Sequence, residues 1–187
     1  MKSTHAQLTE WVREYTDALY AWALRKTGDS HLAEDLVQDT FLAAAEGLQN
    51  FEGNSSPKTW LMAILKYKIA NHYRRAINRQ TAHPGDDFLQ QFFATDGRWL
   101  GIARPGNWQV QDGSLLSDAE FTTTLNRCIQ HLPEAMQACI RLKFLEEKKG
   151  AEICQELGVS QTNYWQLVHR AKLQLRKCLD DNWFSRS

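Results

Sequence analysis

The sequence predicts an all-α protein with two small helical domains joined by a linker, the second domain being a helix-turn-helix. Apolar residues recur every three or four positions in both halves of the chain, which is the spacing of a buried helix face. Between these halves the periodicity stops and turn-forming residues replace it. We therefore predict one domain at residues 1–79, a linker at 80–118 and a second domain at 119–187.

The composition is that of a packed globular protein. Of 187 residues, 43% are hydrophobic, a usual share for a chain that buries a core. No apolar run approaches the roughly 20 residues that cross a bilayer. Glu10, Arg13 and Glu14 interrupt the first apolar stretch, which a signal peptide would keep uninterrupted. We expect a cytoplasmic protein that does not insert into membranes.

The four cysteines lack any familiar metal-binding spacing, because each is more than ten residues from the next. Cytosolic cysteines commonly behave as small hydrophobic residues. We therefore expect reduced, half-buried structural thiols, with neither a metal site nor a cofactor. The four are Cys128, Cys139, Cys154 and Cys178.

Charge is strongly segregated along the chain, although the formal net charge is zero. Residues 31–57 carry five acids and no Lys or Arg, whereas residues 58–79 carry six bases and no acid. Residues 84–120 carry six acids against two bases, and residues 159–178 carry four bases and no acid. Basic stretches attract phosphate and neighbouring acids limit indiscriminate binding, so the pattern indicates a protein that touches DNA when a partner presents it. Solvated helix faces that happen to differ in sign are the alternative.

Three helices account for the first domain. Apolar periodicity predicts the first at about residues 8–24 and the second from Ser30 to Leu48, acidic outside and apolar inside. Residues 50–58 have the Gly, Pro, Ser and Asn of a loop that ends in a helix cap. The third helix follows, with its buried stripe running from Trp60 to Tyr73.

The linker contains the turn-forming strings HPGDD, RPGNW and DGS. Within it, only Phe88 to Phe93 resembles a short amphipathic turn. Trp99 and Trp108 are large apolar residues that could dock on a partner.

Helical periodicity resumes in the second domain over residues 121–132, breaks at Pro133 and continues over 136–145. A short helix at about residues 150–157 and a final helix at about 161–179 follow.

The turn between the last two helices has the chemistry of a helix-turn-helix. Gly158 can adopt positive φ, Val159 is apolar and Ser160 is a good N-cap. The second helix of such a unit enters the major groove, where amides bond base edges and cations reach phosphates. We assign the first role to Gln161, Asn163 and Gln166, and the second to Arg170 and Lys172. An ordinary helical hairpin is the alternative.

The loop at residues 50–56, NFEGNSS, precedes a basic helix. Unpaired bases are held by stacking and by hydrogen bonds to their edges, and their backbone by Lys and Arg. The combination is consistent with binding of single strands. A Trp at helical spacing is usually core, and we expect Trp60 to be mainly structural.

Two segments together resemble one family. HLAEDLVQDTFLAAAEGLQNFEGNSSPKTWLMAILKYKIANHYRR resembles the first conserved domain of extracytoplasmic-function sigma factors. LPEAMQACIRLKFLEEKKGAEICQELGVSQTNYWQLVHRAKLQLRKCL resembles their second. The resemblance covers about residues 8–79 and 121–180, in the family's order and spacing.

The resemblance implies a protein that is not itself an enzyme and whose partners are core RNA polymerase, promoter DNA and an anti-sigma factor. AEDLVQDTF is similar to the family's docking helix for the clamp helices of the largest polymerase subunit. The implied docking residues are Asp35, Leu36, Gln38, Asp39 and Phe41.

The resemblance also implies two DNA-binding sites. Melted minus-ten bases would be captured by Phe51, Asn54, Ser55, Trp60 and Asn71, and their backbone held by Lys66, Arg74 and Arg75. The minus-thirty-five element would be read by Ser160, Gln161, Thr162, Asn163 and Gln166, with Arg170 and Lys172 on phosphate.

One departure from the family concerns the recognition helix, where Asn163, Tyr164 and Trp165 replace smaller or basic residues. A bulky aromatic residue there either packs on the hairpin or contacts a thymine methyl group.

Two other functions fit parts of the sequence. One is a helix-turn-helix regulator that acts without being a polymerase subunit. The other is a metal-dependent phosphohydrolase using Glu34, Asp35 and Asp39, since clustered carboxylates hold divalent ions.

Overall fold

A computed structural model describes residues 4–81 and 115–184, together with Phe92, Ala94, Arg98, Leu100 and Gly101. Over these residues the chain is helical and contains no strand, which confirms the all-α prediction. The chain divides into two compact units, residues 1–74 and 75–187, so the division falls inside the third helix. In the described part of the chain, no helix has both the length and the hydropathy needed to cross a membrane.

Most of the predicted linker lies outside the described residues. This holds for Trp99, Trp108 and the predicted turn at 88–93, apart from Phe92. The side chain of Phe92 is buried, and its carbonyl accepts a hydrogen bond from the Leu100 amide at 2.9 Å.

The first unit contains the three predicted helices: α1 (Thr4–Thr27), α2 (Ser30–Gly47) and α3 (Pro57–Thr81), whose last residues belong to the second unit. Asp29 caps α2, because its carboxylate accepts a hydrogen bond from the Leu32 amide at 3.0 Å. A 3₁₀ turn, Leu48–Asn50, leads from α2 into the loop.

An aromatic cluster closes the core of the first unit beneath that loop. The ring centroid of Phe51 lies 5.3 Å from that of Trp11 and 5.0 Å from that of Trp60. Trp11 and Trp60 meet edge to face at 6.1 Å, a favourable geometry for aromatic pairs. Trp60 is therefore part of the packing, as the sequence predicted, and Phe51 joins it there.

Within residues 115–184, the second unit begins with a 3₁₀ turn, Leu115–Ser117, and continues with four α-helices and a π turn. Asp118 caps the first of these α-helices, accepting hydrogen bonds from the amides of Glu120 and Phe121. The elements are α4 (Ala119–Gln130), α5 (Glu134–Ile140), the π turn (Arg141–Leu145), α6 (Gly150–Leu157) and α7 (Gln161–Asn182).

Helices α6 and α7 form the predicted helix-turn-helix. Gly158 ends α6 with φ of 65°, a left-handed conformation that glycine adopts without steric cost. Ser160 caps α7, because its hydroxyl oxygen accepts a hydrogen bond from the Asn163 amide at 3.2 Å. Helix α7 contacts α4, α5 and α6 through a stripe that contains Tyr164, Leu167, Val168, Ala171 and Leu179.

The prediction of reduced thiols is wrong for two of the four cysteines. Cys128 on α4 and Cys178 on α7 form a disulfide, with their Cα atoms 5.9 Å apart. The pairing could not be seen in the sequence because 50 positions separate the two residues, and only the packing of α7 on α4 brings them together. Cys139 and Cys154 remain thiols.

Tyr164 gives a test of the packing under α7. Its ring is fully buried, and among the described residues no hydrogen-bond partner is present for its hydroxyl. Because a buried unsatisfied hydroxyl is costly, we expect Tyr164→Phe to raise the free energy of unfolding by about 1 kcal/mol. Thermal unfolding followed by circular dichroism measures the change.

The matched variant Tyr164→Ala removes the ring as well and should lower stability by about 3–5 kcal/mol. A loss of stability in the phenylalanine variant would show that the hydroxyl is hydrogen-bonded after all.

Candidate nucleic-acid interface

The outer face of α2 is acidic with one large apolar residue. Asp35, Gln38 and Asp39 are all exposed, and Leu42 follows in the same register with 63% of its surface exposed. The Asp39 carboxylate lies 3.8 Å from the ammonium group of Lys68, an exposed pair that contributes little to stability. This face therefore offers negative charge and an apolar contact together.

Two of the predicted docking residues are less exposed than the other three. Leu36 is buried in the core of the first unit, and Phe41 is half-buried. Asp35, Gln38 and Asp39 are accessible to a partner, whereas Leu36 is not.

The loop before α3 is exposed from Glu52 to Ser56 and is held in shape by short-range contacts. Gly53 adopts φ of 75°, and the Asn54 amide donates a hydrogen bond to the Glu52 carboxylate at 2.9 Å. Ser56 caps α3, because its hydroxyl oxygen accepts a hydrogen bond from the Thr59 amide at 3.2 Å. The loop is thus fixed at both ends, by the aromatic cluster and by this cap.

Helix α3 carries polar and aromatic side chains outward along one stripe. Lys66, Tyr67 and Arg75 are exposed, and Asn71 and Arg74 are half-buried between them. Tyr67 has 64% of its surface exposed, although a tyrosine usually buries its ring. The stripe joins cations to a flat aromatic surface, which are the two groups that hold an unpaired nucleotide.

The N-terminal half of α7 presents a second outward stripe. At each turn one or two side chains face solvent while their neighbours enter the core. The exposed residues are Gln161, Thr162, Trp165, Gln166, His169 and Lys172. Asn163 and Arg170 are half-buried at its edge, and the cap residue Ser160 is exposed.

Trp165 is 52% exposed and has a cation beside it. The Lys143 ammonium group lies 5.7 Å from the Trp165 ring and 5.6 Å from the Phe144 ring, within cation–π range. Lys172 lies 5.4 Å from the Phe144 ring on the same surface. The sequence left open whether the aromatic residues at the start of α7 pack on the hairpin or face outward. Tyr164 packs on the hairpin, whereas Trp165 faces outward.

Within the part of the chain that the structure describes, no group of three or more His, Cys, Asp or Glu residues could hold a metal ion. Glu34, Asp35 and Asp39 therefore have no geometric support as the metal ligands of a phosphohydrolase.

Known proteins match both units. The family model of Sigma-70 region 2 matches residues 11–79, and that of Sigma-70, region 4 matches residues 123–175. A probable RNA polymerase sigma factor of Haemophilus influenzae is 32% identical over 86% of this chain and 84% of its own length. The ECF RNA polymerase sigma factor SigW of Bacillus subtilis is 30% identical over 89% of this chain and 86% of its own.

The chain belongs to the extracytoplasmic-function sigma factors of RNA polymerase. The resemblance inferred from the sequence is confirmed, and the sigma factor directs promoter-specific transcription initiation. A regulator independent of polymerase is no longer needed to explain the helix-turn-helix. Sigma factors are in general initiation factors and not enzymes.

A second sigma factor of Bacillus subtilis, YlaC, is 30% identical over 88% of this chain and 87% of its own length. Among solved structures, the sigma factor matches RpoE in its complex with the anti-sigma factor NepR from Bartonella quintana, with a TM-score of 0.41. The identity is 23%, over 94% of this chain and 98% of that one.

Three exposed residues of the sigma factor were missed as site candidates: Leu42, Tyr67 and His169. Each lies three or four positions from a predicted site residue on the same helix. Helical register was therefore the signal that could have found them.

The acidic face of α2 can be tested by reversing one charge. We expect Asp39→Arg to raise the dissociation constant for core RNA polymerase at least about tenfold, because a like charge would replace an opposite one. The fold should persist, since the residue is exposed and its ion pair with Lys68 is a weak surface contact. Fluorescence anisotropy with purified core enzyme measures the affinity.

Asp17→Arg makes the same charge change at an exposed position of α1 and serves as the control. Equal affinity of the Asp39 variant and the wild-type protein would remove the docking role of this face.

Proposed function

We propose that the sigma factor divides promoter recognition between residues 1–79 and 119–187, with 80–118 as the linker between them. The first domain docks on the clamp helices of the largest polymerase subunit and captures melted minus-ten bases. The second domain grips the duplex minus-thirty-five element. The protein acts in the cytoplasm, and catalysis belongs to the core enzyme.

The exposed stripe of α7 is the observation that carries this proposal. A helix fits the major groove, and amide side chains bond base edges there. Gln161 and Gln166 lie on the outward face for that purpose, with Thr162 beside them. Trp165, placed between two turns of this stripe, is in position to contact a thymine methyl group or a sugar. Lys172, further along, reaches phosphate.

The stripe on α3 and the loop before it support capture of unpaired bases by the first domain. We assign stacking to Tyr67 and hydrogen bonding to Asn54, Ser55 and Asn71. Phe51 and Trp60 hold the base of the loop through the aromatic cluster. Lys66, Arg74 and Arg75 neutralise the backbone, which gives a salt-dependent contribution to binding.

The acidic face of α2 supports docking on a basic partner. Asp35, Gln38 and Asp39 supply charge and hydrogen bonds, and Leu42 supplies an apolar contact that the charged residues surround. An interface with an apolar centre and a polar rim is the usual anatomy of protein association.

We further propose that an anti-sigma factor covers the DNA-binding surfaces when the sigma factor is not on polymerase. Residues 159–178 carry four bases and no acid, and such a helix attracts any nucleic acid. A covering partner would prevent that association.

Run-off transcription with purified core polymerase and genomic fragments tests the proposal. Added sigma factor should create new start sites, each preceded by a shared pair of elements. Failure to co-purify with core polymerase, together with an unchanged set of transcripts, would overturn it.

Two substitutions in α7 separate base reading from phosphate contact. Gln166→Ala should cost about 1–3 kcal/mol on the preferred minus-thirty-five sequence and relax preference at one base pair. Lys172→Ala should weaken binding to all sequences alike and reduce the salt slope by about one. Titrations of labelled duplexes at several salt concentrations distinguish them.

Gln155→Ala, at an exposed position on α6, is the control for the loss of an amide. If the two α7 variants change affinity in the same way on every duplex, α7 does not read base edges at Gln166.

A further inference from the structure

The disulfide lies near the C-terminal end of α7, beyond the last proposed promoter contact at Lys172. Cys178 is near the C-terminal end of α7, and the exposed reading residues occupy the N-terminal half. Cys128 on α4 completes the bond from within the apolar cluster of Phe121 and Leu179. The disulfide therefore links α7 covalently to α4, at the end of α7 away from the proposed base contacts.

The two sulfurs differ in access. Cys128 is 1% exposed, whereas Cys178 is half-buried and lies on the rim of the apolar cluster. Both line an open groove of about 660 Å³ in the second unit. A small molecule in this groove would meet Cys178 first, and Cys128 behind it.

Cationic side chains line the same groove as Cys178. Arg127 lines it from α4 and Lys177 from α7, and among the described lining residues Asp181 supplies the one carboxylate. Cations next to a cysteine favour the thiolate, which is the nucleophile in disulfide exchange. The Asn182 amide adds a donor 3.7 Å from the Cys178 sulfur.

The other two cysteines lack this setting. Burial, and next the neighbouring Cys154, raise the pKa of the Cys139 thiol to about 12, so it stays protonated. Cys154 is half-buried on α6 and has no disulfide partner among the described residues.

We propose that Cys128 and Cys178 are a reversible redox site, oxidised by peroxide and reduced by a low-molecular-weight thiol, which sets how firmly α7 is held on α4. This rests on the proposed reading of duplex DNA by α7. In the proposed cytoplasmic location a disulfide is usually transient and regulatory, which fits a pair whose half-buried member, Cys178, borders an open groove.

Oxidation by hydrogen peroxide begins at the more accessible sulfur, that of Cys178. The Cys178 thiolate attacks one oxygen of hydrogen peroxide and becomes a sulfenic acid, while hydroxide leaves and takes up a proton as water. The Cys128 thiol loses its proton and attacks the Cys178 sulfur, so the S–S bond forms and a second water leaves. Two electrons pass from the sulfurs to the peroxide. Two molecules of glutathione reverse the change through a mixed disulfide at Cys178 and depart as oxidised glutathione.

Thiol counting on the full-length protein tests the chemistry. The reduced protein should show four alkylatable cysteines in denaturant, two after hydrogen peroxide, and four again after millimolar reduced glutathione. Peptide mapping should pair Cys128 with Cys178. A count that stays at four in peroxide, or at two in glutathione, overturns the proposal.

Hydrogen exchange tests the effect on α7. Reduction should speed amide exchange in α4 and in the C-terminal half of α7 at least about tenfold, because the cross-link no longer limits opening. Helices α1 and α2 of the same molecule should not change and serve as the internal control. Equal exchange in α4 and α7 in both redox states would overturn the proposed role.

Matched variants assign the effect to one pair. Cys178→Ser should abolish the peroxide response, whereas Cys154→Ser, also at a half-buried cysteine, should keep it. A full response in Cys178→Ser contradicts the proposal. If that variant does not fold, the titration of the wild-type chain still decides. Start-site selection by the reduced protein in run-off transcription reports separately on the proposed function.

Discussion

The packing of one side of α7 against α4, α5 and α6 is the constraint on which the DNA-binding unit depends. The buried stripe that contains Tyr164, Leu167 and Val168 fixes the rotation of the helix about its own axis. Because residues on a helix repeat every 3.6 positions, the opposite stripe is then obliged to face outward. The proposed reading surface is therefore a consequence of the core beneath it, and Gly158 with the Ser160 cap sets where that surface begins.

In the first unit, part of the exposed surface is a loop, and its position is fixed by contacts at its two ends. A loop has no buried stripe of its own, so its position depends on what holds its ends. Here one end is held by the rings of Trp11, Phe51 and Trp60, and the other by the Ser56 cap. The polar residues from Glu52 to Ser55 stay exposed between two firm attachments.

Much of the fold could be predicted from the sequence, because helix formation depends on residues that are close together in the chain. Periodicity located all three helices of the first unit and the helix-turn-helix, and the turn at residues 158–160 followed from the preferences of Gly and Ser. The order and spacing of the two conserved segments identified the family, which the relatives confirm.

What could not be predicted depends on contacts between distant residues or on the direction of a single side chain. Cys128 and Cys178 carry no local sign of their pairing, since tertiary packing alone brings them together. Leu36 and Leu42 are the same residue type on the same helix, yet Leu36 is buried and Leu42 is exposed. Which of them is buried depends on how α2 packs against α1, and residue type does not reveal that packing. Tyr164 and Trp165 differ in the same way, being adjacent in α7 although one ring is buried and the other exposed.

The separation of the α7 surface into a buried and an exposed stripe has a consequence for how such proteins diverge. Gln161, Trp165, Gln166 and His169 contribute little to the core, so substitutions there leave the folded domain intact. On the proposed reading of promoter DNA by this stripe, new target sequences are accessible through changes at a few solvent-facing positions, one at a time, without passing through unfolded intermediates. A duplicated copy of the gene could acquire its own set of promoters while keeping the same scaffold.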